Sequence, residues 1–299
     1  MATRDRANDS RPVIDGFRDD IETVEEECVS FIRSAVDDAG VQEVVVALSG
    51  GIDSTTAATL AVEALGRRSV NGLVLPSETS DESNIDDAQR AAFDLGIDFR
   101  TVDIQPVVDT LAETMSSDHW FERAVADGGP ASVHSEDTTN PNGEYRRAVG
   151  NATARARMMA TYFEANLHDR LVLGTGNRTE LALGYFTKYG DGGVDILPLG
   201  DLYKTEVRRL AEHLDVPERI IDKQPTAGLW DGQTDTDELG ASYGTIDAIL
   251  RKLFDEGCSV AQTAAELGVE EDLVVRFAEM YRDAAHKRAT PPTPDTYVS

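Results

Sequence analysis

Residues 44–65 read VVVALSGGIDSTTAATLAVEAL: an apolar run and a helix-forming run separated by the polar turn SGGIDS. Val44, Val45 and Val46, with Ala47 and Leu48, form the kind of β-branched stretch that is buried on both faces of a parallel sheet. From Thr55 to Leu65, Ala and Leu recur at helical spacing until Gly66 ends the helix. Between them, Gly50 and Gly51 lack β-carbons, so the backbone can take positive φ and present bare amides to a ligand. Ser49, Asp53 and Ser54 ring those amides with short polar groups, and the unpaired N–H groups of the helix start point into the same turn. Such a turn is an anion cradle, and phosphate suits it best.

The pattern repeats downstream. VNGLVLP (70–76) predicts a second strand, DESNIDDAQRAAFDLG (81–96) a helix, DFRTVDI (98–104) a third strand and 106–115 a further helix. A helix over 151–167 and a strand at RLVLGT (170–175) follow, then a glycine-punctuated segment leading to a helix over 204–214. Strands alternating with helices predict an α/β fold with a doubly wound, mostly parallel sheet. Ligands of such sheets bind beyond the carboxyl ends of the strands, where SGGIDS sits. Two segments read differently: 116–147, broken by Gly128, Gly129, Pro130, Pro141 and Gly143, is expected to be a surface loop or insertion, and 228–238 a mobile loop. SVAQTAAELG and EEDLVVRFAEMYRDAAHKR supply two C-terminal amphipathic helices. One domain over 1–299 is expected, with loose tails at 1–15 and 289–299.

Composition narrows the function. The chain carries 28 Lys and Arg against 55 Asp and Glu, a formal net charge of −27, spread along its whole length. A surface this acidic repels nucleic acid. It matches adaptation to high salt, where the Debye length falls to roughly 3 Å at 1 M and self-repulsion is screened; an ordinary acidic cytosolic protein is the plainer reading. No run of apolar residues is long enough to cross a membrane, no signal-peptide core is visible, and Cys28 and Cys258 form no CxxC pair, so a reduced cytoplasm is the expected location. His119 and His134 read as solvated loop residues, and Trp120 and Trp230 as packing residues. Lysines are few: Lys188, Lys204, Lys223, Lys252 and Lys287. Each is therefore a good candidate to meet something specific, such as phosphate.

Neither GxxxxGK[ST] nor, after the first strand, GxGxxG occurs. SGGIDS instead resembles the pyrophosphate loop of the N-type ATP pyrophosphatases. NATARARM (151–158), GTGNRTE (174–180), GYFTKYGDGGVD (184–195), PLGDLYKTEVRRLA (198–211), KQPTAGLWDGQTDTDELG (223–240) and HKR (286–288), in that order, resemble the NAD synthetases within that superfamily. The resemblance runs from about Phe31 to Arg288; it departs in the acidic loop before Asn151 and at Thr236, where the family more often has an acid. It implies ATP-dependent amidation of deamido-NAD by ammonia through an adenylated nicotinate carboxylate, with Mg2+ required, ATP as co-substrate and a homodimer with deamido-NAD lying across the interface. The glutamine-dependent members carry a large extra amidohydrolase domain for which a chain of 299 residues has no room, so ammonia is the expected nitrogen source.

Carried over residue by residue, the resemblance assigns ATP to Ala47, Leu48, Ser49, Gly50, Gly51, Ile52, Asp53, Ser54, Thr175, Lys204 and Thr226. It assigns the metal to Asp53 and Glu180, and deamido-NAD to Arg155, Lys188, Asp195, His286 and Lys287. Asp53, Glu180 and Lys204 carry the catalysis in this reading, as positioning and electrostatics, since ammonia is the nucleophile. Plainer readings stand beside these: Asp53 as a helix cap, Glu180 as a capping-box partner of Asn177, Arg155 and Arg157 as a solvated helix face, Lys188 and Lys204 in surface ion pairs, His286 as a helix-dipole partner. Two alternative functions also remain: another adenylating enzyme of the same loop class, such as a tRNA-modifying or GMP-forming one, and a non-enzymatic ATP-binding α/β module.

Overall fold

In the computed structural model, which describes residues 20–116, 141–224 and 235–294, the valine run becomes β1 (Glu43–Ala47). Beside it lie β2 (Val70–Val74), β3 (Asp98–Thr101) and β4 (Arg170–Leu173). All pairings are parallel, in the order β3-β2-β1-β4. Period-two alternation splits the valines between the faces. Val44 and Val46 pack with α1 (Ile21–Ala39), α2 (Ile52–Leu65), α3 (Glu82–Leu95) and α7 (Lys204–His213). Val45 packs on the other face with Ile104, with Val108 of α4 (Gln105–Ser116) and with Ala156 and Ala165 of α5 (Pro141–His168). Val44, Val45 and Val46 are fully buried, each burial contributing on the order of 1.5–3 kcal/mol. The doubly wound parallel sheet expected from sequence is therefore present, and α1, which precedes its first strand, adds to the expected elements.

A helical layer follows the sheet: α6 (Arg178–Leu183), α8 (Glu218–Ile221), α9 (Asp235–Leu239), α10 (Tyr243–Leu250), α11 (Val260–Leu267), α12 (Glu271–Asp283) and α13 (Ala285–Arg288). Its own core joins Leu183, Tyr203, Ile246, Ile249, Leu250, Val274 and Phe277. Among the described residues no helix is long and apolar enough to cross a membrane.

Some boundaries differ from the sequence reading. β2 and β3 stop at Val74 and Thr101, and every residue of β3, at one edge of the sheet, is exposed. The expected loop over 116–147 is helical from Pro141 onward: proline is tolerated in a first helical turn, where its missing N–H has no partner to lose. The expected loop over 228–238 ends in α9, which starts at Asp235. His119, Trp120, His134, Thr226 and Trp230 lie outside the described residues.

Only one of the two cradle glycines takes positive φ. Gly50 sits at φ 75°, and a Cβ there would lie 2.2 Å from the Asn84 carbonyl oxygen. Gly51 is extended at φ −97°, ψ 169° and is the N-cap of α2. Gly50 thus lets the turn close against the start of α3. Gly50→Ala combines left-handed strain with a backbone collision and is expected to cost at least about 2 kcal/mol, read from urea unfolding midpoints.

Where α1, α2 and α7 meet, His213 Nε2 lies 2.8 Å from Glu25 Oε2. Desolvation and the Glu25 carboxyl push Glu63 up to about 7. A carboxyl that holds its proton more tightly when folded contributes stability fully at acid pH and loses it as pH rises through about 7. The stability of Glu63→Gln relative to the unmodified chain is therefore expected to increase with pH through neutrality. Urea titrations at a series of pH values check this, and a pH-independent difference would contradict it.

Candidate active site

The turn at the carboxyl end of β1 leads straight into α2, a helix buried on nearly all sides. Its threonines satisfy their hydroxyls locally: Thr55 and Thr56 donate to the Gly51 and Ile52 carbonyls at 2.9 and 2.8 Å. Leu48 and Ile52 are buried, so these two can offer a ligand only their backbones. Ser49 and Ser54 face each other at 3.1 Å between hydroxyls. Ser54 Oγ accepts from the Ser49 amide at 3.2 Å and Ser49 Oγ from the Gly51 amide at 3.3 Å. The two serines hold the Ser49 and Gly51 amides, while the first N–H groups of α2 have no intrahelical acceptor by geometry.

Asp53, the second residue of α2, does not cap the helix; its carboxylate turns toward the helical layer. Lys204 Nζ donates to Asp53 Oδ2 and lies 3.8 Å from Glu180 Oε1. Asn177 Nδ2 donates to Asp53 Oδ1 at 2.9 Å. Asn177 is fully buried and also caps α6 in a capping box: its Oδ1 accepts from the Glu180 amide at 3.0 Å, and Glu180 Oε2 accepts from the Asn177 amide at 3.1 Å. The capping-box reading of Glu180 therefore holds, and its other oxygen faces Lys204. Lys204 is buried, which excludes a surface ion pair. Burial disfavours its ammonium, yet Asp53 and then Glu180 raise Lys204 above the ordinary lysine value, and it stays charged. Burial, and then the Asp53 charge, push Glu180 up to about 8 against the pull of Lys204.

Two carboxyl groups beside the glycine turn would suit a small hard divalent ion held partly by phosphate oxygens. No group of three or more His, Cys, Asp or Glu able to hold a metal is found among the described residues. Asp53 and Glu180 would thus supply only part of a coordination shell, as magnesium at phosphate sites requires.

Sequence reasoning gave three neighbours of the site no role in it. Asn177 was legible only as a helix cap. Lys223 donates to Gly50 O at 3.3 Å, Asn84 Oδ1 at 2.7 Å and Asp87 Oδ2 at 2.5 Å; it clips the glycine turn to α3, and the scarcity of lysine was its signal. Arg157 donates to Leu75 O at 3.0 Å and to Ser77 and Ser80 Oγ at 3.3 and 3.2 Å. It fixes the loop after β2 and does not belong to a solvated face. On the far side of Lys204, the Tyr243 ring centroid lies 5.3 Å from Nζ. Tyr243 and Tyr185 donate to Asp235 at 2.7 and 3.2 Å, fastening α9 beside the site.

A second group assembles at the other end of α6, about 9 Å along the helix axis. Lys287 Nζ donates to Gly184 O and Phe186 O at 2.6 and 2.8 Å. Lys188 Nζ donates to His286 O and, at 3.4 Å, to Ala289 O. Exposed Arg155 of α5 donates to Lys188 O at 3.2 Å. Arg155, Lys188, His286 and Lys287 thus come together. Asp195 stands apart, accepting from Tyr162 OH at 2.8 Å and Val172 N at 2.7 Å; Tyr162 is about two turns beyond Arg155 on α5. Thr175, half-buried, lies two residues past β4.

Comparison with known proteins identifies the family. The family model described as NAD synthase matches residues 24–291. The chain is 45% identical over 265 residues to the NH(3)-dependent NAD(+) synthetase of Halobacterium salinarum, covering 89% of this chain and 90% of the relative. Among solved structures it resembles NMN synthetase from Francisella tularensis, with TM-score 0.73, 34% identity and coverage of 92% and 99%. It also resembles the NH3-dependent NAD synthetase from Campylobacter jejuni, with TM-score 0.70, 30% identity and coverage of 92% and 100%. With the glycine turn, the Asp53–Lys204–Glu180 cluster around a buried lysine and a match over most of its length, this chain belongs to the NAD synthase family.

Proposed function

We propose that this protein amidates deamido-NAD with ammonia at the expense of ATP, giving NAD, AMP and pyrophosphate. The observation that carries the reading is the ammonium of Lys204 buried between Asp53 and Glu180 beside the glycine turn. The relatives named for ammonia-dependent synthesis, alike over nine tenths of their length, support it further. In the first step a nicotinate carboxylate oxygen attacks the α-phosphorus of ATP and the bond to pyrophosphate breaks. In the second, ammonia adds to the acyl carbon, loses a proton, and AMP leaves with its oxygen.

The turn 47–54 would bind the phosphates through backbone amides once Ser49 and Ser54 yield them. Thr175 and Thr226 complete the proposed ATP contacts, and Lys204 would neutralise charge on the triphosphate. Asp53 and Glu180 would hold Mg2+, which supplies charge neutralisation for the departing pyrophosphate. At the other end of α6, Arg155, Lys188, His286 and Lys287 would hold deamido-NAD, and Asp195, which stands apart beside Tyr162, would add a further contact. Each lysine ammonium has three donors, and two are engaged with backbone carbonyls in both Lys188 and Lys287. No side-chain nucleophile is required: the residues position two anionic substrates and stabilise charge.

A homodimer with deamido-NAD across its interface is part of the proposal. Met159, Phe163 and Leu167 are exposed at 54%, 68% and 61%, and with Arg155 they recur every four residues on one face of α5. An apolar stripe continuing into a substrate-binding arginine is the surface two copies would share. The acid-rich surface is proposed to be an adaptation to molar salt, and the cytoplasm the working compartment.

Incubation with MgATP, ammonium and deamido-NAD is expected to release AMP and NAD in equal amounts, faster than nicotinate mononucleotide is amidated in a parallel reaction. No turnover at any salt concentration, or a preference for the mononucleotide, would overturn the substrate assignment. Glutamine also serves at the third position of a capping box, so Glu180→Gln is expected to keep its melting temperature while turnover falls on the order of 10²–10³-fold. Asp53→Asn should match that loss, and a fully active variant of either would remove that carboxylate from the reaction. In molar potassium chloride, sedimentation is expected to give a dimer and Phe163→Glu a monomer, whereas dialysis into dilute buffer should unfold the chain. A monomer in molar salt, or indifference to dialysis, would sink the corresponding claim.

A further inference from the structure

Asp247 lies in the middle of α10, in the run TIDAIL, with no exposed surface. Its Oδ1 accepts from the Thr179 hydroxyl at 2.6 Å and its Oδ2 from the Thr205 amide at 2.9 Å. Thr179 Oγ1 in turn accepts from the Lys204 amide at 2.9 Å. Thr179 and Thr205 are second residues of α6 and α7, so one buried carboxylate receives the N-terminal ends of two helices, where the dipoles favour a negative charge. Thr179 directly precedes Glu180, and Thr205 directly follows Lys204.

We infer that Asp247 is a positioning residue of the reaction: it locks α6 and α7 against each other so that the Glu180 carboxylate and the Lys204 ammonium meet Asp53 in one fixed arrangement. Fully buried, it reaches no substrate and works only through its two neighbours. Its carboxylate matches the donors facing it, the Thr179 hydroxyl and the Thr205 N–H, whereas an amide would turn its own N–H2 toward one of them and leave a donor unpaired. A displacement of charged groups of the order of 1 Å can cost about 10²-fold in rate without unfolding the chain.

The inference rests on the assignment of Glu180 and Lys204 to the ATP site, and the experiment separates the two. Kinetics are measured on Asp247→Asn, Thr179→Val, Thr179→Ser and Glu180→Gln, each corrected for its folded fraction by circular dichroism. Asp247→Asn and Thr179→Val are expected to lower kcat about 10- to 100-fold while KM for deamido-NAD stays within about twofold. Thr179→Ser, which keeps the hydroxyl, is expected to restore kcat. The double variant Asp247→Asn with Thr179→Val should lose no more than the worse single one, because both break one network. If Glu180→Gln remains active, the site assignment fails. If it is inactive but folded Asp247→Asn turns over normally, or its loss merely tracks the folded fraction, the positioning role fails. Should Asp247→Asn not fold, the Thr179 pair decides: equal kcat for Val and Ser overturns the role, and a low Val with a normal Ser upholds it.

Discussion

A single buried ammonium between the carboxyl groups of Asp53 and Glu180 joins the carboxyl edge of the sheet to the helical layer. Asp53 comes from the helix after β1, Glu180 from the helix after β4 and Lys204 from the start of α7, so the contact draws together three segments that are far apart in sequence. Buried ion pairs are poor stabilisers, because desolvating the charges offsets most of their attraction, and removing one partner typically costs about 3–5 kcal/mol. A fold seeking stability alone would fill this space with apolar groups. In the proposed reaction the cluster would be a store of charge for a nucleotide, with Lys204 facing phosphate and the two carboxyl groups holding the metal.

Around this contact the chain uses its few basic side chains with economy. In a molecule of net charge −27, Lys204, Lys223, Lys188 and Lys287 all donate to partners at the candidate site or its edges. Lys223 and Arg157 hold loops, the first the glycine turn and the second the segment after β2. The Lys223 bonds hold the turn against α3, and the Arg157 bonds hold the segment 75–80 against α5.

Much of this was legible in the sequence because it is written in local periods and turn chemistry. The valine run reads as a strand buried on both faces, and SGGIDS as a glycine turn into a helix, since both follow from what neighbouring residues do to the backbone. The same locality explains the misreadings. Pro141 and Gly143 looked like loop residues, yet α5 begins at that proline, because a helix start costs proline nothing. Gly50 and Gly51 looked equivalent, yet only Gly50 has positive φ, since the Asn84 carbonyl that crowds it belongs to another helix.

What the sequence alone determined is the class of fold, the place of the glycine turn between β1 and α2 and the family to which the chain belongs: period-two and helical patterns, glycines and caps act over a few residues. What only the tertiary structure decided is which charges meet. That Glu180 caps a helix and also faces Lys204, that Asn177 reaches Asp53, and that Asp247 fastens two helix ends depend on packing between segments tens to more than a hundred residues apart. Electrostatic and hydrogen-bond energies are set by ångströms of separation and by burial, and neither is encoded in any short stretch of chain.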